Sequence, residues 1–590
     1  MPRGHLKSKK RPDDIKGTMK RIWSYLSVKK GLLSLVLLLV LMSSVFGLLG
    51  PYLTSVAIDD YLVKGDLNGL LPLLFVLIGI YFLQSIVTYL QNFWMIGIAQ
   101  KTVLYMRKDL FHHFQRLPIP YFDKKTHGEL MSRLTNDIEN VSKTLNSSVI
   151  QIFSSVLTLI GTVAIMIWLS PLLTLITFTI IPLMFLGMKW ITKRTGYYFK
   201  EQQRNLGTLN GVIEETISGQ QIVKTFSQEE RVKKQFAKES EELRKSGFWA
   251  LTYSGFIPKL MNVLNNLSFV LIAAAGGWLA LEGLVTIGVI VAFIQYSRQF
   301  TRPLNDLANQ FNTILSAVAG AERVFVVLDE KEEQRDRNDA TVLTDVVGHV
   351  SFRGVSFGYE KDQDTLKGIT FSAQPGESVA IVGPTGAGKT TIVNLLMRFY
   401  EIDEGTIEID GKEITSITRD SLRGNMGFVL QDTLLFEESI LENIRYGRLE
   451  ATDEEVRNAA RIANAHSFIS KLPNGYHTVL KQDGGGISHG QRQLLSIARA
   501  VLADPAILIL DEATSSIDTR TEIQIQRALW KLMEGRTSFV IAHRLNTIQR
   551  ADQILVLHQG EILEKGSHEE LLKKDGFYKE MVISGIQENA

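Results

Sequence analysis

The chain has 590 residues, a net charge of +2 and no cysteine. Such a length exceeds what one hydrophobic core sustains, so several domains are expected. The near-neutral balance gives no electrostatic ground for a nucleic-acid partner, and the missing cysteines exclude disulfides, Cys-ligated zinc and a thiol nucleophile. Apolar residues are unevenly spread: long runs fill the first half, while the second half reads as a soluble α/β domain.

A basic leader comes first, with Lys7, Lys9, Lys10, Arg11, Lys16, Lys20, Arg21, Lys29 and Lys30. Its long basic region, with no small-residue site after it, is unlike a cleavable signal peptide. A membrane span needs about 20 mostly apolar residues. Six segments meet or approach that: Leu32 to Ile58, Leu70 to Ile98, Val149 to Leu169, Leu172 to Ile191, Phe256 to Leu281 and Val285 to Phe300, the fourth and sixth being short or interrupted. Connections after the second and fourth spans are long and rich in Lys and Arg, whereas the other three are short, with Lys64 as their only basic residue. Basic loops stay in the cytoplasm, so both termini are expected there.

The two long connections, about 100–145 and 192–250, have the charge mix of helices that continue past the bilayer. Each turns near its middle, around Pro118 to Glu129 and around Glu214 to Phe226. These turns are either ordinary hairpin tips or short contact helices that press on the soluble domain. Ionisable residues are kept to the span ends, which argues against an ion or proton relay. The spans carry instead Tyr89, Phe93 and Trp94, then Asn262, Asn265 and Asn266, then Phe293, Gln295, Tyr296 and Phe300. As a group these could line a cavity for greasy cations; singly, each could equally be packing.

A charged linker over 329–345 divides a membrane domain (1–328) from a soluble domain (346–590). Soon after it comes Tyr359, and then the stretch with the most chemical content. The apolar strand Ser378 to Val382 runs into Gly383-Pro384-Thr385-Gly386-Ala387-Gly388-Lys389-Thr390, followed by a helix expected from Thr391 to Phe399. This fits G-x-x-x-x-G-K-[ST]: glycines curl the backbone so that its N–H groups cradle phosphates, the lysine reaches the outer phosphates and the threonine hydroxyl can ligand Mg²⁺. About 120 residues later, Ala506 to Leu510 deliver Asp511 and Glu512, suited to hold Mg²⁺ and to polarise an attacking water respectively. These features predict a chain that binds and hydrolyses a nucleoside triphosphate.

GPTGAGKT, Gln431 in FVLQDTLLF, ISHGQRQLLSIARA from Ile487, ILILDEATSSID from Ile507 and His543 in IAHRL together resemble an ATP-binding-cassette domain. Behind six spans, they make nearly the whole chain similar to a half-transporter of the bacterial exporter type. The implied fold is membrane α-helical, six transmembrane helices of the type IV exporter kind, followed by an α/β P-loop ATPase domain. The resemblance implies ATP and Mg²⁺ as ligands, with Thr391 completing the P-loop and Mg²⁺ held by Thr390, Gln431 and Asp511. It assigns Tyr359 to adenine stacking, Glu512 and His543 to catalysis, and Ser515 to Asp518 to the loop crossing a dimer interface. The contact turns become coupling helices. Ser488, His489, Gly490 and Gln491 form the signature, at a helix N-terminus suited to the γ-phosphate of ATP held by the opposite subunit. With one P-loop and one signature per chain, function implies a dimer.

The signature departs from the usual L-S-G-G-Q by carrying His489 at its third position. KQDGGG before it also lacks the glutamate common there in exporters. With Lys389, Asp511, Glu512 and His543 all present, the chain resembles the catalytically intact subunit of bacterial heterodimeric multidrug exporters. Its expected partner is a second half-transporter with a regular signature and a degenerate catalytic site. The expected activity is ATP-driven efflux of amphipathic compounds across the cytoplasmic membrane by alternating access, among membrane lipids and without nucleic acid. A homodimer tolerating His489, a lipid flippase, and an ATP-gated sensor or channel regulator remain as alternatives.

Overall fold

The computed structural model describes residues 14–360, 363–430, 433–481, 484–511, 519–542 and 545–588. The chain forms two compact units: residues 1–115 with 127–330, and residues 116–126 with 331–590.

In the first unit, six helices among the described residues are long and apolar enough to cross a membrane: Ile15–Leu62, Leu67–Phe114, His127–Leu169, Pro171–Ser218, Glu229–Leu281 and Ile287–Leu328. They contain all the expected apolar segments, except that the sixth helix starts at Ile287 rather than Val285. The short sixth run proves to be the first part of a 42-residue helix whose later turns are amphipathic. The tight connection between the third and fourth spans has a local cause. Ser170 is extended and its side chain accepts a hydrogen bond from Leu173 N, while Pro171 starts the next helix, where a missing N–H costs nothing. Both long connections turn through short helices, Ile119–Asp123 and Gln220–Thr225.

The core of this unit gathers Leu48, Met166, Leu173, Ile272, Phe293 and Tyr296. That corrects part of the cavity expectation. Phe293 and Tyr296 are fully buried, and the Tyr296 hydroxyl donates to Leu48 O at 2.7 Å, so both are packing residues. Tyr89 and Phe93 are exposed and stack on each other at 6.2 Å. Asn265 and Phe300 do border a cavity, but one of only about 30 Å³, shared with Ser268 and Ser297. The first and sixth spans are clasped at the end remote from the leader. Asp59, in a π-helical turn, accepts hydrogen bonds from Gly288 N at 2.7 Å and from Thr286 Oγ1 at 2.5 Å.

The second unit contains ten strands among its described residues: β1 (Val350–Phe357), β2 (Leu366–Ala373), β3 (Ser378–Val382), β4 (Glu404–Ile409), β5 (Lys412–Glu413), β6 (Met426–Val429), β7 (Ile507–Asp511), β8 (Thr537–Ile541), β9 (Gln553–His558) and β10 (Glu561–Gly566). They build a four-stranded antiparallel sheet, β2-β1-β4-β5, and a six-stranded sheet, β10-β9-β3-β8-β7-β6. In the larger sheet β9, β3, β8, β7 and β6 are mutually parallel and β10 alone is antiparallel. β3 and β7 are almost continuously apolar, as strands buried on both faces tend to be, and β8 is buried throughout, its Thr537 and Ser538 included. β2 alternates between buried and exposed residues instead. Because β3 and β7 are parallel and separated only by β8, the loops leaving their carboxyl ends open on one edge of the sheet, where open α/β folds bind ligands.

The charged stretch before β1 is held firmly within this unit. Arg419 Nη1 donates to Asp336 at 2.9 Å and to Gln334 O at 2.6 Å, and Arg423 Nη2 reaches Glu333 at 2.6 Å.

Candidate nucleotide site

The loop after β3 is shaped by its glycines. Gly383, Gly386 and Gly388 have φ of 149°, 83° and 103°. A Cβ on Gly383 would lie 2.2 Å from Leu557 O, and one on Gly388 would lie 2.5 Å from Leu366 Cδ2. Gly388 also caps the helix Lys389–Leu396, in a left-handed conformation that disfavours a side chain. The helix thus begins at Lys389, two residues earlier than its sequence suggests, so Lys389 and Thr390 occupy its first turn beside unpaired backbone N–H groups.

Lys389 is 8% exposed and folds back into the loop, its ammonium donating to Gly383 O at 2.8 Å and to Pro384 O at 3.1 Å. Burial pulls its pKa below the ordinary lysine value, while the negative charge of Asp511 pushes the other way. The structure therefore brings Lys389 and Asp511, 122 positions apart in sequence, into one electrostatic neighbourhood. A polyphosphate in the cradle would supply the anionic partner that the half-compensated ammonium lacks. Thr390 is exposed at the helix start and Asp511 is partly buried at the end of β7, a donor set of hydroxyl and carboxylate oxygens that fits a hard divalent cation.

Tyr359 is 40% exposed beside this loop. Its hydroxyl donates to Thr391 Oγ1 at 3.2 Å and accepts from Asn394 Nδ2 at 3.3 Å, which ties its ring to the P-loop helix. Pro384, Thr385 and Gly386 are exposed, whereas Ala387 is buried under the loop. Gln431, Glu512, Ser515, Asp518 and His543 lie outside the described residues.

Ser488 to Gln491 start a different helix, His489–Ala503. Ser488 Oγ accepts from Gln491 N at 3.2 Å and Gln491 Oε1 accepts from Ser488 N at 2.9 Å, a reciprocal capping box. Two signature residues are thereby given a structural task that their motif does not reveal. Gly490 is buried, and His489 Nδ1 is buried with no hydrogen-bond partner.

Two regions of the chain match known families: residues 33–304 match the ABC transporter transmembrane region, and residues 366–515 match the ABC transporter family. The chain belongs to the ABC transporter family. It is 62% identical to an uncharacterized ABC transporter ATP-binding protein, YfiC, of Bacillus subtilis (strain 168), over 98% of this chain and 96% of that protein. It is 48% identical to a fatty acid ABC transporter ATP-binding/permease protein of Mycobacterium bovis, over 82% of this chain and 76% of the relative. Among solved structures it is similar to a bacterial Atm1-family ABC exporter with ATP bound, with a TM-score of 0.73 and 30% identity over 95% of this chain and 99% of the other. The transporter is thus an exporter of this family whose second unit binds and hydrolyses ATP. Its six apolar helices make it a multi-pass membrane protein.

Sequence reasoning missed the supports of the site rather than its reactive groups. Tyr400, which packs on Tyr359, belongs to no motif.

Proposed function

We propose that the transporter uses ATP to expel amphipathic, largely apolar compounds by alternating access, as one half of a heterodimer with both termini in the cytoplasm. The observation that carries the ATP-driven part is the glycine-shaped loop with Lys389 folded into its carbonyls and Asp511 close by. In this reading the loop N–H groups and Lys389 hold the outer phosphates, and Tyr359 stacks on adenine. Thr390, Gln431 and Asp511 hold Mg²⁺, which neutralises phosphate charge when bound. Glu512 accepts a hydrogen bond from the attacking water, and His543 faces the γ-phosphate. Closing two cassettes on ATP, and reopening them after hydrolysis, biases a two-state membrane domain because ATP binds the closed form better.

The substrate class is supported by spans whose ionisable residues are confined to their ends, and by the 48% identity to a relative named for fatty acids. The heterodimer is supported by His489. At the start of the signature helix, an imidazole stands where a backbone N–H should closely approach phosphate. Its site is then the non-hydrolysing one, opposite a partner that lacks its glutamate.

The test is reconstitution of the chain alone, and together with a second half-transporter, in proteoliposomes. ATP-dependent movement of a fluorescent fatty acid and of a cationic dye is measured, with ATPase activity alongside. Full activity of the chain alone refutes the heterodimer but not export. Failure of both preparations to move either probe, with ATP hydrolysis intact, refutes the substrate class.

A further inference from the structure

Tyr400 follows the P-loop helix and joins two places that the sequence keeps far apart. On one side its ring meets Tyr359 edge-on, with centroids 5.0 Å apart and planes at 88°, and it meets Phe357 in the same manner at 5.5 Å. Phe357 and Tyr359 are themselves edge-on at 5.0 Å, which closes a three-ring cluster. On the other side the Tyr400 hydroxyl donates to Asp123 Oδ2 at 2.5 Å. Burial, reinforced by the Asp123 carboxylate, raises the pKa of that hydroxyl, so it stays protonated and remains the donor.

Asp123 ends the short helix Ile119–Asp123, at the turn of the connection between the second and third spans. Residues 116–126 belong to the second unit and not to the spans they connect. They are held there at another point as well, where Glu333 N donates to Arg116 O at 2.7 Å. Tyr359 is fixed on its far side by Thr391 and Asn394 of the P-loop helix. Its hydroxyl is thus tied to the P-loop helix, while its ring rests on Phe357 and on Tyr400, the one of the two that reaches Asp123. Edge-to-face aromatic pairs have a preferred geometry, so a base stacked on Tyr359 changes the position that suits Tyr400, and with it the hydrogen bond to Asp123.

We propose that Tyr400 is a positioning residue that links the base-stacking Tyr359 to Asp123 of the first long inter-span connection, so that this connection reads the nucleobase rather than the phosphates. The inference rests on the reading of Tyr359 as the adenine-stacking residue. Linkage makes the effect reciprocal: whatever moves the 116–126 segment changes base affinity by the same factor.

The absence of native cysteine permits a direct test on the full-length transporter. Lys124 is exposed next to Asp123, and Lys124→Cys supplies a single thiol whose rate of alkylation by a maleimide is measured. The probes are the non-hydrolysable β,γ-imido analogue of ATP at saturation and inorganic tripolyphosphate, which has no base. The expected result is a change in alkylation rate of about fivefold with the analogue, a typical coupling factor, and none with tripolyphosphate. Tyr400→Phe keeps the ring and removes the hydroxyl. It should abolish the change while labelled analogue still binds, as should Asp123→Ala, whereas Asp123→Asn, which still accepts a hydrogen bond, should retain it. A response that survives Tyr400→Phe, or that tripolyphosphate reproduces, overturns the proposal. Tyr359→Ala separates the two layers: if it leaves analogue affinity unchanged, the stacking reading fails, whatever Tyr400→Phe does.

Discussion

Arg419→Ala is expected to loosen the second unit more than any surface change, and its geometry sets the size of the effect. The Arg419 side chain is 7% exposed and faces three carboxylates. Nη1 lies 2.9 Å from Asp336 Oδ1, Nη2 lies 2.5 Å from Glu401 Oε1, and Nε is 3.6 Å from Glu333 Oε1. Removing one partner of a buried ion pair costs about 3–5 kcal/mol, because the other charge is left behind. Here the carboxylates are 29%, 27% and 38% exposed for Glu333, Asp336 and Glu401, so water recovers part of the loss. An expectation of about 2–3 kcal/mol follows. At about 2–4 °C per kcal/mol for a unit of this size, unfolding should come about 4–12 °C earlier. The assay heats the full-length transporter in detergent and follows the temperature at which labelled ATP binding is lost. Arg419→Lys, which keeps a charge without the planar fork, should fall between the two. A shift below about 2 °C for Arg419→Ala refutes the view that this cluster fastens the stretch before β1.

Lys389→Ala should weaken ATP binding about 10- to 150-fold, the loss of a charge-assisted hydrogen bond; unchanged affinity of labelled ATP would remove Lys389 from the phosphate site. Glu512→Gln should leave ATP binding intact and lower steady-state turnover about 100-fold or more, since the amide keeps the shape but not the basicity; near-normal ATPase activity rejects it as the water-polarising group. His489→Gly should change turnover only modestly in a heterodimer and directly in a homodimer, so measuring both preparations with and without the substitution decides between them.

The reactive loop was readable because its chemistry is contiguous. Eight successive residues, Gly383 to Thr390, encode a backbone shape whose cause is local. The spans were readable for a similar reason, since an apolar run of sufficient length has few uses outside a bilayer. What stayed hidden depends on partners distant in sequence. Nothing near Arg419 announces Asp336, 83 positions away, and nothing in Tyr400 announces Asp123, 277 away. The aromatic residues of the sixth span show the same limit. Composition marks Phe293 and Tyr296 as candidates for a cavity, but the face they share points at Leu48 and Met166, which only the packing of the helices decides.

The Asp59 clasp has a mechanical consequence. It binds the start of the sixth helix to the end of the first, and the pair is fastened again further along, where Tyr296 and Gln299 donate to Leu48 O and Gly47 O at 2.7 and 3.3 Å. Fastened at two heights, the two helices resist sliding and splaying for as long as these bonds are made. Gly288 makes the fit closer still, since a Cβ there would stand 2.3 Å from Ser55 O. Any widening at that end of the transporter must either part along other seams or first break the bonds that Asp59 accepts.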